Sequence, residues 1–475
     1  MNKSIWGDRD FFRGALAIGL PVALQNLLST TSSMIDAVMI GSQGELSVAA
    51  VGLCASFSSL LFSAYFGFCS GGQVFMSQYW GVRNEKGICR VFGLMTSCMM
   101  FCGLLFGALA VAAPEFIMGI YTDKVSIQAI GIRYLRIVGI SYPLQVMTMA
   151  ISAMLRSTEN VKVPLYASVA SLATNAFLNW VLIFGHFGFP RLGVDGAAIA
   201  TVCAGFVNLI VLYVYCVRQK GSFLLRIRDH FKWDLLFIKE FFQKSIFIVF
   251  NELLYGSGML IINIIIGRQV ETGIAALAIF RVIEGLIFAF FGGFASASSV
   301  MVGKNVGSGN HRQAYINAKR FALYCPAVSF LLCVALLPAR TTMLSFFGLG
   351  GEALFFASNM LLIYLVAGTI RQCTYICNMI FRAGGESVYG TAVEIIGLFG
   401  LVIPAMLLGS FVLHLPFLVI FTLMFADEIF RLIIMLRYMN TGRWIKPVTQ
   451  EGQETLTAFR ESIRREHHEA ILLKR

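Results

Sequence analysis

The sequence predicts an all-α polytopic membrane protein, with twelve transmembrane helices in two six-helix bundles related by pseudo-two-fold symmetry. Three observations predict it: an apolar composition, twelve apolar segments of spanning length, and an internal repeat of about half the chain. Of the 475 residues, 57% are hydrophobic and only 13% are charged, against about 25% charged in a typical soluble domain. A transmembrane barrel would alternate polar and apolar residues at period two, and runs such as 91–113 do not. The first ten residues are polar and charged and lead to no cleavage-type site. The first apolar segment is therefore expected to be an uncleaved helix that starts insertion.

Apolar segments of about 20 residues or more, long enough to span, run at roughly 13–40, 48–79, 89–112, 131–154, 163–185 and 194–217. After a basic gap they resume at roughly 237–267, 274–303, 314–338, 353–381, 388–411 and 414–437. Lysine and arginine collect in alternate gaps. One side takes Lys3, Arg9, Arg13, Arg83, Lys86, Arg90, Arg156, Lys162, Arg218, Lys220, Arg226, Arg228, Lys232 and several later residues, while the other takes little beyond Lys124, Arg191, Arg268 and Arg340, with Arg133 and Arg136 near a helix start. By the positive-inside rule both termini are expected to be cytoplasmic, with which the even helix count agrees, and the chain is expected in the cell membrane. The net charge of +12 thus reflects topology, and no nucleic-acid partner is expected.

The repeat has an offset of 226 residues, the separation of Gly41 from Gly267. At that offset Glu45 meets Glu271, Gly67 meets Gly293, Gly81 meets Gly307 and Asn84 meets Asn310, and positions 40–84 contain 14 identities. An even number of helices per repeat gives both halves the same orientation, about an axis along the membrane normal. The expected organisation is an N-terminal bundle over 1–217, a cytoplasmic linker over 218–236, a C-terminal bundle over 237–438 and a cytoplasmic tail over 439–475. The tail, rich in Arg, Lys and Glu, is expected to be solvated and partly helical, with membrane-surface contact through Arg464, Arg465, Lys474 and Arg475 as the lesser option.

Where the repeat breaks, chemistry is expected. Asp36 aligns with Ile262, Asn175 with Leu401, Asn179 with Ala405, Glu252 with Asn26 and Glu284 with Ser58. A carboxylate inside a spanning segment is costly and marks a functional site by default. Asp36 ends a polar stripe of Gln25, Ser29 and Ser32 at helical spacing, which must face other helices or water. In the fifth segment Ser168, Ser171, Asn175 and Asn179 share a face; they could supply oxygens to a hard cation such as Na⁺ or bond across a helix contact. In the seventh, Glu252, Tyr255, Met259 and Asn263 form a similar stripe. There Glu252 is either a proton or cationic-substrate acceptor, or a buried neutral carboxyl. Arg281 and Glu284 are three apart and able to pair on their own helix, as are Arg371 and Glu394 between the tenth and eleventh segments. Asp427, Glu428 and Arg431 are expected to form an internal ion cluster.

The eleven cysteines show no metal-type clustering, and Cys98/Cys102 and Cys373/Cys377 read as small packed hydrophobes. Gly303–Lys304 lacks the spacing of a phosphate-binding loop. No cofactor is expected, and ATP-driven transport by this chain is not. The 42 phenylalanines and 20 methionines suit a greasy, adaptable substrate pocket, although lipid-facing and core packing account for most of them.

The chain resembles the multidrug and toxic compound extrusion (MATE) family over about 10–440. The resemblance is carried by GLPVALQNLLSTTSSMIDAVMIG at 19–41, by Gln78–Gly81, and by MLRSTENVKVPLY after the fourth segment. TNAFLNW in the fifth and VMVGKNVGSGN after the eighth add to it. It implies two bundles that export amphipathic, often cationic, small molecules in exchange for Na⁺ or H⁺; a monomer is expected. It implies cation-coupling roles for Asp36, Asn175 and Asn179, a helix-bending switch at Pro21, and a substrate or proton role for Glu252. The chain departs from one branch by showing Arg371, Gln372 and Cys373 where that branch has an acidic residue in the tenth helix. Where some relatives carry aspartate in the fifth helix, it has Asn179. A lipid-linked-precursor flippase of the same superfamily is the alternative, disfavoured by few cavity charges and no extra helices. A membrane-embedded enzyme is a third reading, for which no nucleophile cluster, ligand set or nucleotide motif appears.

Overall fold

The computed structural model describes residues 8–219, 224, 226–345 and 350–472. Lys3, Lys220, Lys474 and Arg475, which contribute to the basic pattern, lie outside them. The first half of the chain forms α1 (Arg9–Gly41), α2 (Glu45–Gly81), α3 (Glu85–Ala112), α4 (Pro114–Tyr121), α5 (Val125–Val138), α6 (Ser141–Ser157), α7 (Lys162–Phe184) and α8 (Val194–Arg218). A single turn, α9 (Ile227–His230), follows. The second half forms α10 (Leu235–Ile266), α11 (Glu271–Gly307), α12 (His311–Leu336), α13 (Arg340–Ser345), α14 (Gly351–Ala383), α15 (Val388–Gly397), α16 (Ile403–Leu407), α17 (Phe417–Leu423) and α18 (Glu428–Asn440). The tail carries α19 (Gln450–Leu472).

Among the described residues ten helices are long and apolar enough to cross a membrane, and eleven if α5 and α6 count as one span bent by 48°. All twelve expected segments are helical. The fourth bends after Val138, where Gly139 is the hinge and Pro143, four residues on, removes the amide that would have bonded back to it. The twelfth is split into α17 and α18 by a turn at 424–427, so neither half reaches spanning length alone.

The repeat is visible in the element bounds. α2 and α11 begin at Glu45 and Glu271 and end at Gly81 and Gly307, and α3 and α12 begin at Glu85 and His311. Every one of these pairs is 226 apart. Both of the latter helices are capped by the preceding asparagine: Asn84 Oδ1 accepts from the Gly87 amide at 2.9 Å, and Asn310 Oδ1 from the Gln313 amide at 3.4 Å. A side-chain oxygen at that position satisfies a donor the helix leaves open.

The chain packs as two compact units, one of Met1–Ala23, Ser77–Arg83 and Phe250–Arg475, the other of Leu24–Met76 and Asn84–Val249. In the first, Phe280, Tyr364, Phe421 and Phe425 form an aromatic core with Ile262, Val402 and Met406. Phe280 meets Tyr364 and Phe421 edge-on at 5.2 and 5.0 Å, the geometry aromatic quadrupoles favour. In the second, Ile40, Ile183 and Ala197 form one cluster. There the fully buried Tyr142 shares a 2.9 Å hydrogen bond with Ser58.

Glycine sets the closest approaches, and the repeat places them in both units. A Cβ on Gly67 of α2 would fall on the backbone of Val249, and one on Gly293 of α11 would fall on Ala23 and the Gly19 carbonyl. The pairs 67/293 and 23/249 are again 226 apart. Small residues that let helix backbones touch are the usual adhesive where lipid offers no hydrophobic drive. Gly67→Leu and Gly293→Leu are each expected to cost about 3 kcal/mol or more and to lower the detergent-extracted thermal midpoint sharply. Gly52→Ala, which enters open space, serves as the neutral control.

The tail departs from the expected solvated extension. Trp444 and Ile445 are fully buried, with Phe459 and Ile463 nearly so. The Val448 amide donates to Gln78 Oε1 at 2.8 Å, Thr449 Oγ1 donates to the Gly307 carbonyl at 2.6 Å, and His311 Nε2 lies 2.8 Å from the Gly452 carbonyl. Apolar side chains at helical spacing, hidden among many charges, pin the segment down; Arg464 and Arg465 remain exposed. Lys446 adds an ion pair to Glu386.

Burial works against ionisation of Glu386, but Lys446, the Tyr389 amide and the Tyr438 hydroxyl outweigh it and hold its carboxyl below the ordinary 4.5. A depressed carboxyl stabilises the fold above its unfolded value, and that contribution is lost as pH falls through the folded one. Glu386→Gln is thus expected to lower the thermal midpoint at pH 7. Its difference from wild type should close as pH drops below about 4.5.

Candidate cation site

Asp36 lies in the last two turns of α1, and Asn175 and Asn179 lie one turn apart on α7. The structure brings the three together. Asn179 Nδ2 donates to Asp36 Oδ1 at 2.5 Å and to Asn175 Oδ1 at 3.2 Å. Asn175 and Asn179 are 4% and 0% exposed, whereas Asp36 is half-buried. Asn179 Oδ1 is buried with no hydrogen-bond partner. Among the described residues no basic side chain closes an ion pair with Asp36. Tyr134 of α5, which carried no signal in the sequence, lies within electrostatic reach of it. Ser171 instead donates to the Ala204 carbonyl of α8 at 3.0 Å, and Ser29 is exposed and bonds back to its own helix at Gln25.

Pro21 sits inside the continuous α1, where its ring denies the helix one backbone bond. The boundary between the two packing units falls two residues later, after Ala23.

The second-half carboxylates are arranged differently, since each holds an arginine. Glu252 Oε1 accepts from Arg382 at 3.2 Å. Glu284 accepts from Arg371 at 2.8 Å, and Arg371 also donates to the Tyr255 hydroxyl at 2.8 Å. The expected pair of Glu284 with Arg281 on the same helix does not form, because Arg371 of α14 takes the carboxylate. Nor does Arg371 meet Glu394, which is held by Arg431 at 3.3 Å and by the amides of Asn251 and Asn378 at 3.2 and 2.9 Å. Asp427, Glu428 and Arg431 do form the expected cluster, at 3.4 and 3.5 Å. Met259 packs against the aromatic core of its unit, and Asn263 is exposed.

One correspondence runs through both units. Arg156 donates to Gln25 Oε1 at 3.4 Å, while Arg382, its equivalent, reaches Glu252, one position beyond the equivalent of Gln25. The arginine and the turn it grips are common to both halves, but only the second half answers with a carboxylate.

Two tandem helical repeats and an intramembrane carboxylate define a class, that of repeat-built membrane transporters. The MatE family profile matches residues 21–181 and again 248–408, and the chain belongs to that family of multidrug efflux transporters. It is 23% identical over 409 residues to the probable multidrug resistance protein YoeA of Bacillus subtilis, covering 85% of this chain and 86% of that one. It is 27% identical over 317 residues to the probable multidrug resistance protein NorM of Rhizobium meliloti, covering 66% of each. In fold it is similar to a solved MATE in the straight conformation, with a TM-score of 0.79 and 17% identity over 92% of this chain and 96% of that one. A MATE in the bent conformation gives a TM-score of 0.77 and 15% identity over 96% and 97%.

Proposed function

We propose that the protein is a secondary active antiporter of the cell membrane, with both termini cytoplasmic, that exports amphipathic or cationic small molecules by alternating access in exchange for Na⁺ or H⁺. One observation carries the placement of the coupling site: Asp36 is a half-buried carboxylate held by the Asn179 amide, which also bonds Asn175, and among the described residues it has no basic partner, whereas Glu252 and Glu284 each hold an arginine. A carboxylate so placed needs a cation or a proton. The Asp36 oxygens, Asn175 Oδ1 and the unpartnered Asn179 Oδ1 make a hard-oxygen set that fits Na⁺, with further oxygens required to complete its shell. Protonation of Asp36 would serve the same exchange. Glu252, Glu284 and Tyr255 are read as the polar group of the second half, in arginine-tied form, and Met259 as its adaptable apolar neighbour. The multidrug names of the relatives support export over the flippase alternative, and the transporter family supports a carrier over an enzyme.

The test is transport in proteoliposomes loaded with cationic and neutral amphipathic dyes, under a Na⁺ gradient at fixed pH and under a pH gradient without Na⁺. Uphill movement of a dye in either arm is expected. Failure of every dye in both arms, with scrambling of a labelled lipid, would favour the flippase.

A further inference from the structure

The segment between the two halves does more than connect them. Its helical turn α9 is seated on α3: His230 is buried with its ring edge-on to Phe92 at 5.3 Å, and a Cβ on Gly93 would fall on the His230 carbonyl. Beyond it the chain is fixed by Trp233, whose indole donates to the Arg90 carbonyl at 3.2 Å. Asp234 caps α10 through the Phe237 amide at 2.7 Å. These contacts frame a cleft of about 540 Å³ lined by Lys86, Arg90, Asp229, Lys232, Trp233 and Asp234.

The charges there are not balanced. Asp234 is taken by Arg90 at 3.1 Å, Asp229 by Lys232 at 2.8 Å and Glu85 by Arg226 at 2.7 Å. Lys86 and Arg228 are exposed, and among the described residues neither closes an ion pair. The cleft lining thus carries three cations against two carboxylates, with Lys86 the one left over, and Arg228, next to Asp229 in the chain, adds a further exposed cation beside it. The cleft opens where two spans begin, at Glu85 and Leu235. Its flank is apolar and uncovered, with Phe231 64%, Leu235 85% and Leu236 77% exposed. A soluble phosphate would use the cations alone and make no use of those side chains. A headgroup with acyl chains uses both features, and a tryptophan at the rim is the usual mark of the membrane–water boundary.

We propose that this cleft is a binding site for the headgroup of an anionic phospholipid of the phosphatidylglycerol type. Its phosphodiester lies against Lys86, with Arg228 and Lys232 supplying the surrounding positive field, and its acyl chains lie beside Phe231, Leu235 and Leu236. The assignment does not rest on the antiport reading, because it is read by lipid binding and not by transport.

Native mass spectrometry of the purified full chain, titrated with equal phosphatidylglycerol and phosphatidylcholine, tests it. Wild type should retain phosphatidylglycerol preferentially. Each basic residue near an anionic surface contributes about 1 kcal/mol, or about fivefold in affinity. Lys86→Gln should therefore weaken that retention about fivefold and Lys86→Gln/Arg228→Gln about 25-fold, with phosphatidylcholine unaffected. Lys239→Gln, an exposed basic change outside the cleft, should match wild type. If the double variant fails to fold, the exposed single change at Lys86 carries the measurement. Equal retention of the two lipids by wild type, an unchanged preference in Lys86→Gln, or displacement of the lipid by millimolar inorganic phosphate would each overturn the proposal.

Discussion

Asp36→Asn is expected to abolish gradient-driven export while leaving the protein folded. The side chains are isosteric, and the amide oxygen at position 36 can still accept from Asn179, so the contact between α1 and α7 survives. What is lost is the charge, which no neighbouring group replaces. At contact distance the attraction between a carboxylate and a monovalent cation amounts to several kcal/mol even at an effective dielectric near 20. Cation affinity should thus fall on the order of 10²-fold or more. Measured in proteoliposomes, the variant should show dye movement at background level under either gradient, with a thermal midpoint close to wild type. Asn179→Ala separates the two ions. It removes one oxygen of a Na⁺ shell but leaves a protonatable carboxylate, so it should weaken a Na⁺-driven exchange strongly and a proton-driven one much less. Full export by Asp36→Asn would move the coupling site elsewhere.

The fold was almost wholly legible from the sequence because the lipid environment leaves few alternatives. Twelve long apolar runs must be helices once backbone groups have no water to bond to. The 226-residue offset located the turns well enough that Asn84 and Asn310 both prove to be N-caps. The group at Asp36 was legible for a related reason: three polar residues without counterparts in the other half, on two helices of one repeat, had little else to bond. What failed was partner choice. Arg281 lies at the right spacing for Glu284, yet Arg371, 87 residues on, takes the carboxylate. Spacing along one helix says nothing about which side chain a neighbouring helix brings. The tail misled for the opposite reason. Trp444, Phe459 and Ile463 are few among many charges, so average composition hid an apolar stripe that buries itself. The cleft at Lys86 was legible only as two separate basic stretches, one at 83–90 and one in the linker, because its shape depends on how α9 sits on α3.

Arg371→Met carries the second large effect. In wild type the guanidinium donates to Glu284 and Tyr255, both at 2.8 Å, and lies 3.9 Å from Glu428. Glu428 has Thr374 at 2.7 Å and Arg431 in reserve, but for Glu284 Arg371 is the one ion-pair partner among the described residues. Breaking a buried pair from one side leaves an uncompensated charge, at about 3–5 kcal/mol. Both side chains here retain about a fifth of their exposure, so the lower end, about 3 kcal/mol, is expected. Removing the other partner as well should restore most of it: Arg371→Met/Glu284→Gln is expected to unfold within a few degrees of wild type, and Tyr255→Phe alone to cost about 1 kcal/mol. If Glu284 only serves to hold Arg371, the double variant should regain export together with stability. A stable double variant that no longer exports would instead give Glu284 a direct part in moving substrate or protons. The comparison with Asp36→Asn then separates the roles, since that variant should lose transport at full stability while Arg371→Met should lose both together.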